Sequence, residues 1–296
     1  MSIFEILKIL IPIIIIASLG ALFGRFRKIE IKALAEYLLY IGVPALVFSQ
    51  LSMQQVRPAY LLLISLAAFF VILGSGLLSW FLLRVLRFRI PDPLFLPIMF
   101  MNSGYLGFPL ALFAFGELSL NYAIIYNTAM SILLFTLGIY ILCRGTDPYR
   151  ALKIPFIYAA LAGLILSYSG IRLPQPLYVP IYILGNTTIP LALFMLGYRL
   201  ANMGLTSWKM PLLASLLRLG LGLGLGWLAV MIFQLHGIAA KTIILLSCLA
   251  SAVTSLPLAE EYDSEPELIA SSIMLSTLVS FLALFAILPW LASLTI

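Results

Sequence analysis

A chain of 296 residues that is 63% apolar and only 9% charged, with a mean hydropathy of +1.15, is far more apolar than a soluble domain, where about 45–50% is usual. Its net charge of +6 lies in short clusters between apolar runs rather than on one polar face, which argues against a nucleic-acid partner. One histidine, His236, and two isolated cysteines, Cys143 and Cys248, leave metal coordination and histidine-based catalysis without a set of residues. The cysteines read as small apolar fillers, no cofactor is implied, and an intramembrane enzyme has no convergent acid–base or metal group to work with.

The predicted elements are ten membrane-spanning helices, near 3–24, 31–51, 59–83, 93–115, 120–143, 154–170, 177–201, 210–234, 239–259 and 268–294. The first begins like a signal peptide, with Lys8 before an apolar run, but its length and its repeat partner make it a retained span. Lys and Arg alternate by side. Arg25, Arg27, Lys28 and Lys32 follow span 1, only Arg57 follows span 2, and Arg84, Arg87 and Arg89 follow span 3. Arg144, Arg150 and Lys153 follow span 5, and the pattern fades but keeps its sign after that, with Arg172 after span 6, Arg199 and Lys209 after span 7 and Lys241 after span 8. The positive-inside rule then puts odd-to-even connections in the cytoplasm and both termini outside. The acidic loop of Glu260, Glu261, Asp263, Glu265 and Glu267 runs against the trend, although acidic residues weigh little in the rule.

The chain also repeats itself. Pro12 and Gly20 correspond to Pro155 and Gly163 at an offset of 143, Pro44 and Phe48 to Pro190 and Phe194 at 146, and Phe108-Pro109-Leu110-Ala111 to Leu256-Pro257-Leu258-Ala259 at 148. Five spans per half is odd, so the second copy, 149–296, enters the membrane opposite to the first, 1–148. Inverted repeats of this kind carry their substrate near the midplane, between the copies.

Span 4 contains Asn102-Ser103-Gly104-Tyr105-Leu106-Gly107-Phe108-Pro109, a poor helix interior, and its repeat partner in span 9 is Ala250-Ser251-Ala252-Val253-Thr254-Ser255-Leu256-Pro257. Two helices broken at equivalent depth leave backbone groups that must meet protein, water or a ligand. Half-helix N-termini would suit a carboxylate without Lys or Arg, and Asn102 and Ser251 would add side-chain donors; small residues that only permit close packing are the plainer reading. Asn127, beside Tyr126 in span 5, is either a ligand contact or an interhelical hydrogen bond. Glu36 either takes a proton or reaches the cytoplasmic surface beside Lys32, and Arg218 either reaches the interface or attracts anions.

At these residues the sequence resembles the auxin efflux carrier family, which includes the plant PIN exporters and bacterial malate or malonate permeases. The resemblance covers nearly the whole chain. It is carried by Gly42-Val43-Pro44-Ala45-Leu46-Val47-Phe48, by Asn102 to Leu110 with Phe115-Gly116-Glu117, by Ile189-Pro190-Leu191-Ala192-Leu193-Phe194-Met195-Leu196-Gly197, by Arg218-Leu219, and by Ala259-Glu260-Glu261-Tyr262 with Leu275-Ser276-Thr277-Leu278. It implies a ten-span, all-α, inverted-repeat carrier with broken, crossing spans 4 and 9, dimeric and of elevator type. Spans 1, 2, 6 and 7 would be the scaffold, with spans 3–5 and 8–10 moving. The implied substrate contacts are Asn102, Ser103, Gly104, Asn127, Ser251, Ala252 and Thr254; the crossover lies at Gly107, Pro109, Ala250 and Pro257, and Pro44, Phe48 and Pro190 kink the scaffold toward the site. Where the family has a proline at the crossover, this chain has Met101 and Ala250, and the long hydrophilic middle loop of plant members is missing, as in a short prokaryotic relative of the plasma membrane. The expectation is a carrier of a small organic anion, with a ligand-holding membrane sensor as the alternative.

Overall fold

The computed structural model describes residues 3–53, 58–88, 90–143, 155–202 and 208–294. Arg57, Arg89, Arg144, Arg150 and Lys153, which bear on the alternation of charge, lie outside them. Among the described residues every regular element is helical, and the one extended pairing is an isolated bridge. In chain order the helices are α1 Ile3–Phe26, α2 Ile31–Tyr37, α3 Val43–Met53, α4 Pro58–Val85, α5 Phe95–Met99, α6 Gly107–Phe115, α7 Glu117–Leu133, α8 Ile139–Cys143, α9 Pro155–Ser169, α10 Gln175–Asn186, α11 Thr188–Asn202, α12 Lys209–Ile232, α13 Gly237–Ser247, α14 Ser255–Glu261 and α15 Pro266–Ser293.

Seven helical stretches among the described residues are long and apolar enough to cross a bilayer: Leu7–Phe26, Ala33–Met53, Ala59–Val85, Glu117–Leu142, Gln175–Asn202, Lys209–Ile232 and Pro266–Ser293. Tyr158–Ser169 and Gly237–Ser247 are apolar but shorter. Of the three expected spans missing from this set, span 6 corresponds to the shorter helix Tyr158–Ser169, and the other two have a local cause. Expected spans 4 and 9 are each divided into two short helices, α5 with α6 and α13 with α14, so neither offers a continuous rod of membrane length.

The chain divides into two compact units, one of Met1–Ile11, Leu62–Pro148 and Met203–Ile296, the other of Pro12–Leu61 and Tyr149–Asn202. In the smaller unit, glycines set the packing. A Cβ on Gly20 would run into the Phe194 carbonyl and one on Gly197 into the Ala17 carbonyl, so α1 and α11 meet main chain to main chain. A Cβ on Gly163 would lie 3.2 Å from the Phe48 carbonyl oxygen, and one on Gly185 2.8 Å from Leu46 backbone, so α9 and α10 close on α3 in the same way.

Pro44, Phe48 and Pro190 belong to this unit. Pro44 is the second residue of α3, just after a π-helical turn over Leu38–Gly42, and Pro190 is the third residue of α11, after the chain leaves α10 at Thr187. Each lies inside a longer helical stretch, Ala33–Met53 or Gln175–Asn202, beside a local departure from α-helix that takes up its missing N–H. Glu36 is exposed on α2.

Candidate functional site: two paired helix breaks

The larger unit holds both interruptions. α5 ends at Met99, Phe100 turns extended at φ −101°, ψ 126°, and helix resumes only at Gly107. α13 ends at Ser247 and helix resumes at Ser255. The local reason is in the residues: Asn102, Ser103 and Gly104 favour turns over helix interior. Pro109 and Pro257 are each the third residue of the helix that follows, so they start the new helices and do not kink the old ones.

The two breaks are joined. Met101 and Ser251 form an antiparallel bridge, closed by Asn102 N donating to the Ala250 carbonyl at 2.7 Å and Ala252 N donating to the Phe100 carbonyl at 2.9 Å. Backbone groups that a continuous helix would have satisfied internally are thus satisfied across the pair, as a nonpolar surrounding demands. Side chains extend the clamp. The Ser251 hydroxyl donates to the Pro97 carbonyl at 2.7 Å, and Ser251 N donates to the Ser276 hydroxyl at 3.0 Å. Ser251 is fully buried, so its hydroxyl proton is committed to the protein; the expectation that it offers a donor to a ligand meets this bond.

The same holds for the helix N-termini. A carboxylate held without Lys or Arg would need unpaired N–H groups at the start of α6 and α14, but Gly107 N donates to the Asn102 carbonyl at 3.0 Å and Phe108 N to the Gly104 carbonyl at 3.1 Å. Ser255 N and Leu256 N donate to the Ala252 and Val253 carbonyls at 3.1 and 3.2 Å. Pro109 and Pro257 have no N–H to give. The turns that precede the helices thus occupy the first amides, and α14, at seven residues, has little dipole of its own.

What remains is the side chain of Asn102. Its Oδ1 accepts from Leu106 N at 3.4 Å, while its Nδ2 is buried with no hydrogen-bond partner. An unused amide donor of this kind costs about 1–3 kcal/mol unless something accepts from it. Beside it, the Ser103 hydroxyl donates to Asn127 Oδ1 at 2.8 Å. Asn127 is therefore an interhelical partner of the break, and that bond leaves its own amide hydrogens unspent. A Cβ on Gly104 would lie 3.3 Å from Asn127 Oδ1, so the missing side chain lets this turn approach α7. Gly104 and Thr254 are the half-buried members of the set, and Asn102, Ser103, Asn127, Ser251 and Ala252 are buried. α7 is tied to α13 by two further pairs, Ser119 with Thr242 at 2.7 Å and Tyr126 with Ser247 at 3.0 Å between hydroxyl oxygens.

Arg218 turns inward, against the expectation that it reaches the interface. It is fully buried, and its guanidinium donates from Nη1 to the carbonyls of Ile98 and Met99 at 2.9 and 2.8 Å and from Nη2 to the carbonyl of Ser247. It thus caps the C-terminal ends of both α5 and α13. The sequence marks a polar residue here but not its direction.

A family model described as membrane transport protein matches residues 143–288. The chain is similar to an uncharacterized transporter of Methanocaldococcus jannaschii, 26% identical over 301 residues that cover 95% of this chain and 96% of that protein. It is similar also to an uncharacterized transporter of Methanothermobacter thermautotrophicus, 28% identical over 201 residues, 62% of this chain and 63% of that protein.

Proposed function

We propose that this chain, which a membrane transport protein model matches over residues 143–288 and which is similar to an archaeal transporter over nearly its whole length, is a secondary carrier of a small organic anion, either an auxin-like monocarboxylate or a dicarboxylate such as malate or malonate, and that it handles the anion at the paired breaks. The observation that carries the reading is the buried, unpartnered Nδ2 of Asn102, a donor held in place by the break itself. The sign of the charge agrees: among the described residues the buried side chains include one arginine, Arg218, and no aspartate or glutamate.

The same reading counts ten spans in two inverted halves, with the breaks as spans 4 and 9. Its support is reciprocity. Gly20 abuts Phe194 while Gly163 abuts Phe48, a pair of contacts that maps onto itself when the halves are exchanged. Elevator movement, a homodimer, a prokaryotic plasma-membrane location and outside termini belong to this proposal, with the larger unit as the moving part.

The test is purified chain in liposomes given labelled malate or indole-3-acetate. Saturable accumulation above that of empty liposomes is the expected result. Binding of either acid without accumulation would make the chain a ligand-holding sensor, and neither binding nor accumulation would contradict the organic-anion reading.

A further inference from the structure

The buried guanidinium of Arg218 has no carboxylate to answer it. Its three acceptors are main-chain carbonyls at the last turns of α5 and α13, where a helix carries partial negative charge. Both helices end at the breaks, so without a cation there the paired breaks would face the negative end of the eleven-residue α13 and the last carbonyls of the five-residue α5, and repel an anion. Local sequence is arranged to admit the group: a Cβ on Gly222, one turn further along α12, would meet both the Arg218 guanidinium and the Ser247 carbonyl, and one on Gly226 would lie 2.6 Å from Ser247 Cβ. Among the described residues no other buried side chain carries charge, and Arg218 Nε remains without a partner.

We propose that Arg218 is a positioning residue that sets the electrostatic sign of the paired breaks, cancelling the negative end of α13 and pairing the last carbonyls of α5 so that the site accepts anions that Arg218 itself never touches. The inference rests on the break being the anion's site, and it deepens that reading by assigning the charge selectivity to one side chain outside the site. A guanidinium is suited to it because its planar fork reaches carbonyls of two helices at once.

The sign of the field is measurable without knowing the substrate. In a full-length protein with Cys143→Ala and Cys248→Ala, Thr254→Cys is introduced as a reporter in the second break. Its reaction rates with an anionic and a cationic methanethiosulfonate, the sulfonatoethyl and trimethylammonium-ethyl reagents, are compared. With Arg218 present the anionic reagent is the faster, relative to each reagent's rate with free thiol. Arg218→Gln lowers that ratio at least about tenfold, as expected for removal of a unit charge at short range in a protein interior.

Arg218→Lys keeps charge but cannot bridge three carbonyls, so it retains the ratio while lowering the melting temperature, and it keeps the test decisive should Arg218→Gln not fold. A ratio unchanged in Arg218→Gln, a ratio lost in Arg218→Lys, or a reporter that reacts with neither reagent overturns the proposal. The liposome assay with malate and indole-3-acetate separates this from the carrier reading: failure there with an Arg218-dependent thiol ratio removes the carrier and leaves the electrostatic role standing.

Discussion

Asn102 donates its main-chain N–H to the Ala250 carbonyl, while its own carbonyl accepts from Gly107 N and its Oδ1 from Leu106 N. Three of its groups hold the break, and one, Nδ2, is left over. Ser251 is the opposite case, with hydroxyl and amide both committed. Ser251→Ala should therefore lower stability by about 1 kcal/mol through the orphaned Pro97 carbonyl, read as a lower melting temperature in detergent; an unchanged melting temperature would show that the bond contributes nothing. Both residues stand out in the sequence as polar groups in apolar surroundings. Which of them is spent and which is free was not legible, because that depends on carbonyls about 150 residues away. Arg218 is the sharpest instance: its three acceptors lie 120, 119 and 29 residues distant.

At the scale of elements, α12 offers an internal control. A Cβ on Gly220 or Gly224 would meet nothing within 4 Å, whereas one on Gly222 or Gly226 would strike Ser247 of α13. Gly222→Ala should cost about 1–3 kcal/mol by overpacking, while Gly224→Ala should gain up to about 1 kcal/mol from helix propensity; equal melting temperatures for the two would contradict the packing described. The bridge is testable too. Met101 and Ser251 are the non-hydrogen-bonded pair of their antiparallel ladder, since the bonds run between their neighbours, and such pairs bring Cα atoms to about 4.5 Å. Met101→Cys with Ser251→Cys should form an intramolecular disulfide under mild oxidation, seen as a thiol count that falls by two, and persistent free thiols would contradict the bridge. That the helices stop was readable from Asn102-Ser103-Gly104 and from the prolines. That the resumed helices have their first amides already occupied was not, because turn geometry and not composition decides it.

Over the whole chain, apolar content and the matched prolines and glycines announce a multi-pass membrane protein, and the glycines at 20, 163, 185 and 197 prove to be points where main chains touch. The count of spans was less legible, because a broken helix has the composition of a span without the length of one. The account as a whole turns on Asn102 as the ligand's donor. Uptake of labelled malate and of indole-3-acetate into liposomes, measured across concentration for the wild type, Asn102→Ala and Asn102→Asp, tests this most directly. The account predicts a KM at least about tenfold higher for Asn102→Ala, matching the loss of one buried hydrogen bond to a charged group, and no measurable uptake for Asn102→Asp, in which a carboxylate confronts the anion. Unchanged kinetics in both variants, with the wild type active, would contradict it.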